Sequence, residues 1–224
     1  MAAYTTTLLT FASDADGGDV FVVTWYDQST NGNYATQGAG ANQPKIVSSG
    51  AVITEGTSAK PAIEFDGSND RLEVGSVLAN QIDITASYTI TGVASPEGTG
   101  FRTIVGSAVD TNNRTAIGLN TSNDFCFEQF DGSANRVSKS SVTLNVQYLF
   151  FATNTNKSQG LWLNSVAATD ADVFSQNPTN DFVIGARQGG GNPFDGPIQE
   201  LVVWTSNQNA ARVGIETNIN DYWL

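Results

Sequence analysis

The 224-residue chain has no histidine and a single cysteine, Cys126. The first absence removes the commonest general base near neutral pH and the commonest transition-metal ligand. It also excludes a Ser-His-Asp triad. The second excludes any intrachain disulfide. Cys126 stands in an apolar run, where a buried and inert thiol is expected. Basic residues are scarce as well: 10 Lys and Arg against 22 Asp and Glu give a formal charge of −12. Nucleic-acid backbones and anionic membrane surfaces demand clustered Lys and Arg, so neither is an expected partner. No run approaches the ~18–20 apolar residues of a membrane helix. The N-terminal MAAYTTTLLTF lacks the basic region and long apolar core of a secretory signal.

With only 14% charged residues, the surface must be built largely of Ser, Thr, Asn, Gln and Gly. Such neutral hydrogen-bonding surfaces suit extracellular and virion proteins. Along the chain, short β-branched and aromatic runs alternate with Asn, Asp, Gly and Ser clusters. This pattern predicts strands over 20–26, 45–47, 51–53, 82–94, 147–153, 160–163, 182–185 and 194–204. Residues 61–65 and 71–74, joined by Asp66-Gly67-Ser68-Asn69-Asp70, read as a hairpin-like unit. Only the tail differs. Val213, Ile215, Ile219 and Tyr222 recur at three-to-four spacing, which predicts a short helix capped by Asn207 or Asn209, with Trp223 and Leu224 tucked against a sheet. There is no repeat of 20–50 residues and no dividing linker. The expected fold class is all-β: a single-domain antiparallel sandwich spanning 1–224, with two sheets of six or seven strands.

The most informative stretch is Thr24-Trp25-Tyr26-Asp27-Gln28-Ser29-Thr30-Asn31-Gly32-Asn33-Tyr34-Ala35-Thr36-Gln37. Asn31-Gly32 is a strong turn signal, and Asp27, Ser29 and Asn33 can bond nearby backbone to order it. The stretch resembles the WYDQSGNGN-A-TQ signature of concanavalin A-like, laminin-G-like jelly-roll domains, a type found in phage virion and tail proteins. It is also similar to a signature of the arabinofuranosidase B catalytic domain. QPKIVSSGAV at 43–52, KPAIEFDGSNDRLEV at 60–74 and FDGPIQELVVW at 194–204 fit the same order. The resemblance implies a jelly roll, a phage or virus-like particle, and further sequence upstream of a trimmed N-terminal edge.

The glycosidase side of the resemblance points to Glu128, in Asp124–Asp131, as nucleophile. It places a general acid in the glycine-rich loop 185–192, where this chain has Gln188. An amide cannot protonate a leaving oxygen, and the family's adjacent cysteine pair is absent, so hydrolysis is not expected. Glycan binding is the favoured expectation. Sugars take flat apolar faces beneath their C–H groups, with amides and charged groups matched to hydroxyls. Trp25, Tyr26, Tyr34, Phe130 and Trp162 are candidates for the platform, with core packing the expected role of the two tryptophans. Asp27, Asn31, Asn33, Glu128, Gln129, Arg187 and Gln188 are candidates for polar contacts. Calcium would need hard oxygen ligands, which Asp66, Asn69 and Asp70, or Asp14 and Asp16, can offer. The competing role for the 66–70 run is a tight turn in which Asp66 and Asn69 bond backbone amides. Expected partners are glycans or cell-surface polysaccharide and, if the domain decorates a capsid or fibre instead, other virion proteins.

Overall fold

The computed structural model describes residues 17–75, 87–110, 113–130, 134–168 and 182–224. The N-terminal MAAYTTTLLTF, Asp14 and Asp16, and the start of the 82–94 strand expected from sequence lie outside these residues. The strands in chain order are β1 (Val20–Phe21), β2 (Thr24–Trp25), β3 (Ala35–Thr36), β4 (Lys45–Ser48), β5 (Ala51–Val52), β6 (Thr54–Glu55) and β7 (Lys60–Pro61). There follow β8 (Ile63–Asp66), β9 (Leu72–Gly75), β10 (Ser87–Ala94), β11 (Arg102–Asp110), β12 (Asn113–Leu119) and β13 (Asp124–Phe130). The last are β14 (Ala134–Ser141), β15 (Tyr148–Thr155), β16 (Ser158–Leu163), β17 (Val166–Ala167), β18 (Phe182–Ile184) and β19 (Asp195–Trp204), before helix α1 (Arg212–Trp223).

These strands form two antiparallel sheets. Sheet A runs β1-β4-β8-β19-β10-β15-β16-β17, with β5 on β4; sheet B runs β14-β13-β12-β11-β18-β9-β3-β2. The strands β6 and β7 make a separate ribbon. Alternation along each strand sets the faces. On β13, Phe125 and Phe127 enter the shared core, while Cys126 and Glu128 point away from it. The core is aromatic: Phe65, Tyr88, Phe125, Phe127, Phe150, Phe182 and Phe194 are all fully buried, each worth about 1.5–3 kcal/mol.

The two outer faces differ. On sheet A, Ile215, Ile219, Trp223 and Leu224 of the C-terminal segment pack on Val93 and Leu149. That covering explains why β10 and β15 are buried on both faces. No described helix covers sheet B.

Three details depart from the sequence pattern. The run 20–26 is not one strand. Val20 pairs with Val47 in sheet A, Thr24 with Thr36 in sheet B, and Val22 is buried at the crossing between them. Likewise, β8 and β9 do not form a hairpin. The first pairs with β19 and the second with β18, so the Asp66–Asp70 turn carries the chain from one sheet to the other. Periodicity reports which side of a strand is apolar, not which sheet it joins. Such switches cut strands short, which is why the sheets count nine and eight strands among the described residues rather than six or seven. Finally, Asn207 Oδ1 accepts the Asn209 amide at 2.7 Å, serving a 3₁₀ turn at Asn209–Ala211, whereas α1 itself starts at Ala211 without a side-chain cap. Cys126 is buried as expected, and burial, reinforced by nearby Glu128, pushes its thiol up to about 12.

Candidate functional site

The outer face of sheet B carries one dense polar cluster. Glu128 sits at its centre, on β13, across from Ala116 on β12 and Arg136 on β14. It points away from the core yet has 0% of its surface exposed. Its Oε1 pairs with Arg114 Nη2 at 3.4 Å, and its Oε2 accepts from Arg136 Nε. Both oxygens are therefore held by guanidiniums. Phe101 adjoins them: the Arg136 guanidinium lies 5.5 Å from its ring centre and that of Arg187 lies 6.0 Å away.

Arg187 arrives from the loop between β18 and β19, and that loop is a built object. Gly185 N donates to Ile104 O at 2.7 Å, Arg187 N to Gly191 O at 2.8 Å, and Thr103 N to Asn192 O at 3.0 Å. Gly185 has φ +82° and a Cβ there would meet the Phe65 ring at 2.2 Å, so only glycine lets the loop turn back over the core. Burial, and then the nearby charge of Arg114, pull the Arg187 pKa down from its ordinary value, against the opposing pull of Glu128.

The residues nominated from sequence do not meet at one place. Glu128 and Arg187 share the cluster just described. Phe130 lies at the end of β13 and Gln188 next to Arg187, but the side chains of Gln129, Phe130 and Gln188 lie outside the described set. Tyr26, Asp27, Asn31, Asn33 and Tyr34 belong to the β2–β3 turn at the far edge of sheet B. From β13 to β3 is five strand steps, roughly 24 Å at about 4.8 Å each. There Asp27 accepts from Ser29 N at 2.7 Å, Ser29 Oγ at 2.8 Å and Asn33 N at 2.9 Å, while Asn31 N donates to Ser29 Oγ at 3.2 Å. These bonds, that from the Ser29 hydroxyl foremost, hold the Asp27 carboxyl below its usual range. The turn they close presents Tyr26 and Tyr34 edge to face, ring centres 5.2 Å apart and both exposed. Trp25 packs against the core. Trp162 lies beside Phe151 and under the Arg212 guanidinium on sheet A.

Sequence reasoning missed Arg114, Arg136 and Phe101. A signal existed in retrospect: the chain has only six arginines, and two of them fall on the strands flanking the one that carries Glu128.

The Asp66–Asp70 turn uses its carboxylates internally. Asp66 Oδ1 accepts the amides of Ser68 at 2.8 Å and Asn69 at 3.2 Å, and Asp70 Oδ2 accepts that of Asp66 at 3.0 Å. Asn69 Nδ2 donates to Ala41 O and Asn42 Oδ1. Among the described residues no group of three or more acidic, His or Cys side chains is gathered to hold a metal.

Two antiparallel sheets around an aromatic core define a jelly-roll sandwich of the lectin type. The family model of the concanavalin A-like lectin/glucanases superfamily matches residues 66–214, and the chain belongs to that laminin-G-like family. No curated protein matches it in sequence. Solved structures share the fold at low identity. Domain 4 of AbnA, a GH43 extracellular arabinanase from Geobacillus stearothermophilus in complex with arabinotriose, superposes at TM-score 0.57 with 14% identity, over 74% of this chain and 80% of that one. The Trypanosoma rangeli sialidase gives 0.57 at 11% identity, covering 98% of this chain but only 40% of the sialidase. The CBM40 of Ruminococcus gnavus IT-sialidase, bound to α2,3-sialyllactose, gives 0.51 at 16% identity over 70% of this chain and 97% of that one.

Proposed function

We propose that this chain is a non-catalytic, lectin-like carbohydrate-binding domain of a phage or virus-like particle, acting outside the cell on glycans or cell-surface polysaccharide. The observation that carries the non-catalytic reading is the state of the outer face of sheet B. Its one match to a glycosidase nucleophile, Glu128, is wholly buried with both oxygens engaged by Arg114 and Arg136. A nucleophile must reach an anomeric carbon, and a retaining pair stands about 5–5.5 Å apart around the sugar. A carboxylate shut beneath two guanidiniums is instead a brace that sets the arginines in place. Support for the virion placement comes from the likeness of segment 24–37 to phage virion and tail domains.

The test combines a polysaccharide array with an aryl-arabinofuranoside assay on the same preparation. Binding to at least one polysaccharide without turnover is expected. Turnover that disappears in Glu128→Gln would overturn the non-catalytic assignment.

One observation favours a second reading, decoration of a capsid or fibre through protein contacts. Phe21, Val23, Tyr26 and Tyr34 are 44%, 55%, 61% and 46% exposed along the rim where the chain passes from sheet A to sheet B. Under this reading Tyr26→Ala and Tyr34→Ala abolish assembly on the particle and leave glycan binding untouched.

A further inference from the structure

We propose that Arg187, beside Phe101 on the outer face of sheet B, receives the carboxylate of an acidic saccharide, so that the ligands of this domain are anionic glycans rather than neutral ones. The proposal rests on the carbohydrate-binding reading above and gives it a ligand class.

The use of arginine in this chain is the starting point. Outside the cluster, each arginine has a carboxylate of its own: Arg71 has Glu73 at 3.1 Å, Arg102 has Asp195 at 3.8 Å, and Arg212 has Glu216. At the cluster, Glu128 is already shared by Arg114 and Arg136. Arg187 makes no ion pair with any described residue, and its Nε is buried without a hydrogen-bond partner. A half-buried guanidinium without a counter-ion costs stability. It costs more beside another cation, and Arg114 is near enough to disfavour its charge. A protein with 22 acidic residues has ample means to neutralise this group, and no described carboxylate does so. An incoming anion would relieve both penalties at once.

The chemistry of that anion follows from the shapes present. A guanidinium is a planar fork whose paired N–H groups match the two oxygens of a carboxylate. Phe101, whose ring lies against the guanidiniums of Arg136 and Arg187, gives the fork an apolar border. A phosphodiester chain would call for a row of cations, whereas here they meet at one point in a chain of charge −12. That overall charge repels anions at long range but is screened beyond roughly 8–10 Å at physiological salt, so recognition is local.

The test is titration calorimetry on the full chain with two matched pairs: α2,3-sialyllactose against lactose, and trigalacturonate against its methyl ester. At least one acid is expected to bind about ten-fold or more tightly than its uncharged counterpart, the scale of one charge-assisted bidentate contact. Arg187→Gln is expected to erase that preference without lowering the melting temperature, since it removes an unpaired charge; Arg187→Lys should retain part of it, and Arg71→Gln all of it. Equal affinity for acid and neutral forms overturns the ligand class while leaving the glycan-binding reading intact. A preference that survives Arg187→Gln overturns the assignment to this face. Binding only to sulfated sugars, added as a third arm, overturns the carboxylate. No binding to any saccharide overturns both readings.

Discussion

Glu128→Gln tests the central feature of the polar cluster on sheet B. The substitution keeps the side chain's shape and one acceptor oxygen but removes the charge. Breaking a buried ion pair from one side costs about 3–5 kcal/mol, because the partner's charge stays desolvated. Here there are two partners in unequal positions. The Arg136 side chain is 32% exposed and can regain water, whereas Arg114 is 13% exposed and cannot readily do so. That places the expected loss near the lower end, about 3 kcal/mol. For a domain of this size, each kcal/mol moves the melting temperature by about 2–4 °C, so a fall of about 6–12 °C is expected. Calorimetric melting measures it. A second arm pairs Glu128→Gln with Arg114→Gln; removing the stranded cation should restore a good part of the loss. A fall of less than about 2 °C would show that the carboxylate does not brace the arginines. A rise would be worse for the reasoning. It would mean that the charge is held at a cost to the fold, as a catalytic group often is, and the glycosidase reading would return.

Gly185→Ala should cost about 2–5 kcal/mol, combining a positive φ with overpacking against Phe65, and chemical denaturation will show it. Because the same loop carries Arg187, ligand binding should weaken in step with stability. Asp70 is predicted to give the protein an acid-side advantage. Its folded pKa is raised to about 6, by burial first and then by the charge of Asp66, against an unfolded value near 3.8. The resulting stability is fully present below the unfolded pKa and is lost as pH rises through the folded one. Asp70→Asn should therefore flatten the stability profile between about pH 4 and 6 and raise stability at pH 7 by about 1–3 kcal/mol. Any shift of melting temperature between calcium and chelator should be the same within about 1 °C in the wild type and in Asn69→Ala, since the described Asp66–Asp70 turn spends its carboxylates on backbone amides. A calcium-induced rise of several degrees that Asn69→Ala removes would show that this turn opens for an ion.

The amino-acid order was enough to settle the class of fold. Short apolar runs of period two, broken by Asn, Asp and Gly, can bury their residues only as layered sheets, and the tail's different spacing marked the C-terminal helix. It also indicated the turn at 26–34, because Asp27 bonds amides two and six residues away in the chain, within reach of local pattern. Sheet membership was decided in three dimensions. Asp66 to Asp70 looks the same in sequence whether it joins two strands of one sheet or crosses between two, and only the pairing of β8 with β19 and of β9 with β18 distinguishes them. The candidate site depends on tertiary structure for the same reason. Arg114, Glu128, Arg136 and Arg187 are spread over 74 positions and come together through strand register and one glycine-rich loop. Charge is a property of the residue, but burial of that charge, and the presence or absence of a partner for it, exists only once the chain has folded.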